Sequence, residues 1–164
     1  MAETSAHSIL TPDLAHTIPK SEGLVRIPFG YDGVIGAFEG DGSIAHVELS
    51  YGMRFIGDRA FSCCSRLEGI DIPDSIVAIG DYAFSSCSGL REVILPPGVK
   101  RIGTCAFAHC NSLKRIVLPP SIEEIGVDAF AVCSSDLVFA VETGSFAYTF
   151  LQQFDRPRIS PEPV

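Results

Sequence analysis

Six cysteines and four histidines are the residues of this 164-residue chain best suited to chemistry. Thiolates and imidazoles bind zinc or serve as nucleophile and base, so their spacing is the first question. Zinc spacing of the C-x-x-C kind is absent, since Cys63 and Cys64 are adjacent and Cys105 and Cys110 are five apart. His109 stands beside Cys110, but neighbours on a helical turn point about 100° apart, so the pair cannot share a proton. His7, His16 and His46 are scattered without ligand spacing. Gly57, Gly80, Gly103 and Gly126 belong to no phosphate-cradling G-x-G-x-x-G or G-x-x-x-x-G-K pattern, and read instead as turn makers. No G-x-S-x-G, H-E-x-x-H or aspartate-rich calcium loop occurs. The expectation is a protein with no catalytic centre, metal or cofactor.

Four of the cysteines have a different explanation. Cys64, Cys87, Cys110 and Cys133 recur every 23 residues, in phase with Phe61, Phe84, Phe107 and Phe130, with Ala60, Ala83, Ala106 and Ala129, and with Ile56, Ile79, Ile102 and Ile125. Residues 51–73, 74–96, 97–119 and 120–142 are four copies of one unit, preceded by a degenerate copy at 28–50 that keeps Phe38. A fixed period of this size is the mark of a solenoid, whose units bury their apolar faces against one another. A cysteine in that column packs as a small hydrophobe. Cys63 and Cys105 fall in columns that also hold Arg59, Tyr82, Ser86 and Asp128, and are expected at the surface. Exposed free thiols favour a reducing compartment.

Residues 74–96 show how a coil is built. Leu90, Val93 and Leu95 alternate as a short strand with one buried face, and Pro96 and Pro97 end it. Ile76 and Ile79 form a second extended arm that leads to Gly80. Asp81, like Asp58 and Thr104 in neighbouring copies, stands where a helix N-cap belongs. Ala83, Phe84 and Cys87 can then face inward from one helical turn. Stacked at about 4.8 Å per coil, the strands become a parallel sheet and the phenylalanines a continuous spine.

The pattern L-x-x-I-x-I-P … I-G-x-x-A-F-x-x-C, over about 51–142 and more loosely over 28–50, resembles the BspA-like leucine-rich repeats. The resemblance implies an α/β repeat: a short right-handed leucine-rich-repeat solenoid with a parallel sheet, short helical turns on the other side, and capped ends. It also implies a non-enzymatic protein-binding role, since members are mostly bacterial and protozoan cell-surface or secreted proteins, several acting as adhesins. An intracellular scaffold and a structural spacer are the alternatives. The expected organisation is an N-terminal arm or cap at 1–27, the solenoid at 28–142, a cap helix at 143–154 with Phe146, Phe150 and Phe154 as an inward stripe, and a flexible tail at 155–164.

The formal net charge of −8 is shared out along the chain with no basic stripe, which argues against nucleic acid as a partner. No apolar run approaches the length of a membrane helix, and the first 20 residues do not read as a secretory signal. The expected partner is a protein, met by a monomer. Contact is expected at the outward strand positions, where charge runs from acidic to basic: His46, Glu48, Glu68, Asp71, Arg91, Glu92, Lys114 and Arg115. Ile94 and Val117 are read as outward on the same strands.

Overall fold

The computed structural model describes residues 8–154 and 157–163. The first seven residues of the expected N-terminal arm, and 155, 156 and 164 of the expected tail, lie outside the described residues. The elements in chain order are β1 (Ser8–Leu10), α1 (Pro12–Ala15), β2 (Lys20–Ser21), β3 (Leu24–Arg26), β4 (Tyr31–Val34), β5 (His46–Glu48), β6 (Phe55–Ile56) and β7 (Gly69–Asp71). They continue with β8 (Ala78–Ile79), β9 (Glu92–Ile94), β10 (Arg101–Ile102), β11 (Arg115–Leu118), β12 (Glu124–Ile125), β13 (Val138–Val141), α2 (Phe146–Leu151) and β14 (Arg158–Pro161).

The strands stack as a parallel solenoid of three sheets. The second arm of each coil builds a six-stranded sheet in the order β1-β4-β6-β8-β10-β12. The leucine strands build two four-stranded sheets, β2-β3-β5-β7 and β14-β13-β11-β9. What was expected as one strand face is therefore divided, and the division falls between β7 and β9. Register follows the 23-residue period, so that Gly69 lies beside His46 and Arg115 beside Glu92.

The third side of each coil is not helical. Arg59, Cys63, Tyr82, Ser86, Cys105, His109, Asp128 and Val132 all lie in the left-handed region, with φ between 51° and 61°. Two such residues per coil prevent a helix and produce consecutive tight turns. Alternate N–H groups close those turns, as in Cys64 N–H to the Phe61 carbonyl at 3.2 Å. The others reach the next coil, as in Phe61 N–H to the Ala83 carbonyl at 2.9 Å. The expected N-caps act between coils for the same reason: Asp58 Oδ1 accepts from Asp81 N–H at 2.8 Å, and Asp81 Oδ1 from Thr104 N–H at 2.9 Å.

The phenylalanine spine runs unbroken from Phe38 to Phe130, with ring centroids 5.2–5.8 Å apart and planes within 12°. Each column cysteine lies beside it and gives its thiol hydrogen to the phenylalanine carbonyl one coil back. The distances are 3.0 Å from Cys64 to Phe38, 3.1 Å from Cys87 to Phe61, 3.2 Å from Cys110 to Phe84 and 3.1 Å from Cys133 to Phe107. In the first coil Asp41 occupies the cysteine slot and pairs with Lys20. Burial works to raise the Asp41 carboxyl, but hydrogen bonds from Lys20 and Ser43 outweigh it and hold the group below its ordinary value.

Burial pushes the Cys64 thiol up to about 12 and the Cys133 thiol up to about 11, and raises Cys87 and Cys110 as well. A thiol harder to ionise folded than unfolded stabilises the fold below its unfolded value, and that contribution fades as pH climbs towards the folded one. Stability to urea is therefore expected to hold steady below about pH 9 and to fall between roughly 9 and 12. A Cys87→Ala, Cys110→Ala double variant should show a shallower fall, and an equal slope would refute the assignment. Thiol labelling should reach the exposed Cys63 first and the buried Cys64, Cys87 and Cys110 only on unfolding.

Residues 8–27 supply strands to both faces: β1 pairs with β4, and the β2–β3 hairpin, turned at Glu22 and Gly23 with positive φ, pairs through β3 with β5. At the other end, residues 158–161 form a strand where a flexible tail was expected. β14 pairs in parallel with all of β13, and Arg158 and Glu162 bond Asp136 and Arg115 at 3.1 and 2.8 Å. In α2 the inward pair is Ala147 and Leu151, four apart, while Phe146 and, beyond the helix, Phe154 are exposed, so of the expected phenylalanine stripe only Phe150 packs against the core. Ser145 caps the helix by accepting from Tyr148 N–H at 3.1 Å.

Candidate functional site

The eight expected contact residues lie on or beside β5, β7, β9 and β11, and their charges are paired from strand to strand. Arg26 grips Glu48 with two hydrogen bonds of 2.6 and 3.2 Å. His46 meets Asp71 at 3.2 Å, Glu68 meets Arg91 at 3.4 Å, and Arg115 meets Glu92 at 2.8 Å. Only Lys114 of the eight has no ion pair among the described residues. The acidic-to-basic gradient read along the chain is thus cancelled locally, because in-register neighbours carry opposite signs. Val117, expected to face outward, is 7% exposed, flanked in register by Ile94 and Ala140.

The feature that breaks this even surface lies between β7 and β9. Elsewhere the ladder continues from coil to coil: Glu68 N–H reaches Ala45 at 2.8 Å and Lys114 N–H reaches Arg91 at 2.9 Å. Across the division one ladder bond remains among the described residues, a long one from Arg91 N–H to the Glu68 carbonyl at 3.4 Å. Further along the strand, Leu49 and Leu95 donate to the following coil at 3.3 and 3.1 Å, whereas Ile72 at the equivalent place makes no such bond among the described residues. The inner columns open with it. Val47, Leu49, Val93, Leu95, Ile116 and Leu118 are buried, but Ile70 and Ile72 are partly exposed.

Gly69 lies on the strand where the sheet parts. Its neighbours in register are His46 and, across the division, Glu92, so a side chain belongs there. A Cβ on Gly69 would lie 2.9 Å from the His46 ring, so the imidazole occupies the space above this strand. Glycine within a strand both weakens it and lets another group approach closely.

The result is a groove of about 750 Å³ reaching from His46 on β5 to Val117 on β11. Ile70, Ile72, Leu95 and Pro96 give it an apolar floor, and Ile94, 58% exposed, stands at its edge. Four carboxylates, Glu68, Asp71, Asp74 and Glu92, and one guanidinium, Arg91, rim it. His46, Glu68, Asp71, Arg91 and Glu92 thus come together at the groove, while Glu48, Lys114 and Arg115 lie outside it. Ile94 was expected only as an outward strand residue, and Ile72, Asp74 and Pro96 were not anticipated; the signal for them was a lone glycine in a column otherwise holding larger side chains.

All six cysteines are free thiols, and the Cys110 thiol is committed to Phe84 rather than to His109. Among the described residues no three His, Cys, Asp or Glu side chains converge as metal ligands, and no helix is long and apolar enough to cross a membrane.

The profile of the BspA type leucine rich repeat region matches residues 35–155 in six copies. The T. pallidum leucine rich repeat protein TpLRR is 34% identical and superposes with a TM-score of 0.72, over 82% of this chain and 62% of that one. A leucine rich cell surface protein of Faecalibacterium prausnitzii is 26% identical with a TM-score of 0.70, over 80% of this chain and 35% of that one. The pneumococcal vaccine antigen PcpA, 22% identical with a TM-score of 0.68 over 88% of this chain and 42% of that one, shares the fold. The chain therefore spans less than two thirds of the length of each of these proteins. No curated protein matches it.

Proposed function

We propose, from the premise that this chain belongs to the BspA-type leucine-rich-repeat family, that it is a protein-binding module whose contact surface is the strand face between β5 and β11. Leucine-rich repeats are in general interaction modules, and solenoids grip partners along such surfaces. The observation that carries the reading is the parted sheet. A repeat that only had to stack would continue its ladder, and here the ladder stops, exposes two core isoleucines and leaves a groove. Apolar ground inside a charged rim is the composition of a binding patch. A surface location accords with the cell surface relative from F. prausnitzii, and an adhesive role is what the resemblance to the BspA-like repeats implies. An intracellular scaffold is the second reading, favoured by the exposed free thiol of Cys63.

The test is affinity capture from the source cells and from their host or medium, with an Ile94→Arg variant and a Lys100→Glu control. Ile94 projects from the groove edge, whereas Lys100 lies on the six-stranded face, paired with Glu123 at 3.0 Å. Both residues are exposed, so each change should alter stability by less than about 0.5 kcal/mol. The Ile94 variant should lose the partner that the control retains. Loss in the control with retention in Ile94→Arg would move the contact to the opposite face.

A further inference from the structure

Resting on that reading, we infer that the groove takes an extended, cationic stretch of polypeptide, a tail or linker of a partner rather than the surface of a folded domain. Three features of the groove converge on this occupant. The first is backbone. Because β7 and β9 are unpaired, the groups of each that face the other lack ladder partners. Ile72 N–H and the Ile94 carbonyl occupy the places that Leu95 N–H and the Val117 carbonyl fill one coil later at 3.1 Å. A donor and an acceptor left facing one opening are matched by an amide, which offers one of each, and a polypeptide main chain carries an amide at every residue.

The second feature is charge. Of the four rim carboxylates, Glu68 is held by Arg91 at 3.4 Å and Glu92 by Arg115, from outside the groove, at 2.8 Å, which leaves Asp71 and Asp74 without an arginine or lysine among the described residues. Asp71 is answered only by His46, and Asp74 has no ion pair among the described residues. An anionic segment would add like charges to this rim, whereas lysine or arginine would neutralise it. The third is size. The groove crosses four strands, from β5 to β11, which at the spacing of a sheet is roughly 14 Å. That accommodates about four residues of extended chain at roughly 3.4 Å each, too little for a domain interface. Its floor of Ile70, Ile72, Leu95 and Pro96 then calls for apolar side chains between the basic ones.

The experiment is to pan a random decapeptide display library on the purified protein, synthesise the enriched sequences and measure their binding by fluorescence polarisation. Enriched peptides should combine lysine or arginine with apolar residues. They should bind the Asp71→Lys, Asp74→Lys double variant at least tenfold more weakly, bind Ile94→Asp more weakly than the native protein through loss of its apolar edge, and bind Lys100→Glu unchanged. Circular dichroism of each variant confirms that the fold is retained. Neutral or acidic peptides that lose affinity with Ile94→Asp but not with the double aspartate variant would overturn the cationic occupant and leave the strand-face reading standing. Peptides indifferent to both variants would overturn both. Absence of any enrichment would overturn the inference that an isolated extended segment suffices.

Discussion

Phe84→Ala is expected to cost about 3–5 kcal/mol, the range for removing a buried phenylalanine, and to lower the urea midpoint accordingly. Phe84 is fully buried in mid-spine, its ring centroid 5.6 Å from Phe61 and 5.2 Å from Phe107. Removing it leaves a gap that two stacked rings cannot close, since the backbone ladder fixes the spacing of the coils. Stacking adds about 0.5–1.5 kcal/mol per ring pair beyond burial, so the loss on both sides places this site at the upper end. The graded comparison lies at the two ends. From the degenerate repeat alone, Phe38 should be the cheap end of the stack. In the structure it is 2% exposed, stacked at 5.5 Å on Phe61, with the Lys20 ammonium 5.9 Å from the centre of its ring. Phe130 is the half-buried end, turned edge-on to Phe139 at 77°. Phe38→Ala should therefore cost nearly as much as Phe84→Ala, and Phe130→Ala distinctly less. A clearly smaller penalty at Phe38 than at Phe130 would reverse the account of which end is better covered.

What the sequence made legible is what the period repeats. The phenylalanine spine, the cysteine column and the alternating strand residues follow from 23-residue spacing, because in-phase residues must meet in neighbouring coils. β14 was illegible because α2 replaces the usual turns, so Ile159 pairs with Phe139 at an offset of 20 instead of 23. The turns were misread as helical because no glycine or asparagine marks their left-handed positions, which hold arginine, cysteine, tyrosine, histidine and even Val132. The ion pairs were within reach of the sequence, since Glu68 and Arg91, and Glu92 and Arg115, stand one period apart. Reading charge along the chain rather than across it hid them. The groove was the least legible part. It depends on the His46 ring lying over Gly69 and on a ladder failing once, and a consensus averages such a single departure away.

Gly103→Ala is expected to destabilise by at least about 3 kcal/mol, at the upper end of overpacking, although the change adds one methyl. As turn makers, the glycines of this column would serve through conformational freedom. Gly103 does not adopt a positive φ, so alanine is permitted by its backbone. The obstacle is the coil beneath. A Cβ would lie 2.4 Å from Asp81 Oδ1, 2.5 Å from the Gly80 carbonyl carbon and 2.6 Å from the Asp81 nitrogen. Two of those atoms are backbone and the third holds Thr104 N–H at 2.9 Å, so none can step aside without breaking a bond between coils. Gly80 and Gly126 meet the same obstruction from the coils before them, which is why the column is glycine in every copy. Gly144 gives the contrast. It has φ of +84° with nothing within 4 Å of a Cβ, so Gly144→Ala should carry only the backbone strain of about 1–2 kcal/mol, partly relieved in Gly144→Asn. Urea midpoints of the three variants separate the two causes. If Gly103→Ala costs no more than Gly144→Ala, close approach between coils is not what requires glycine in this column.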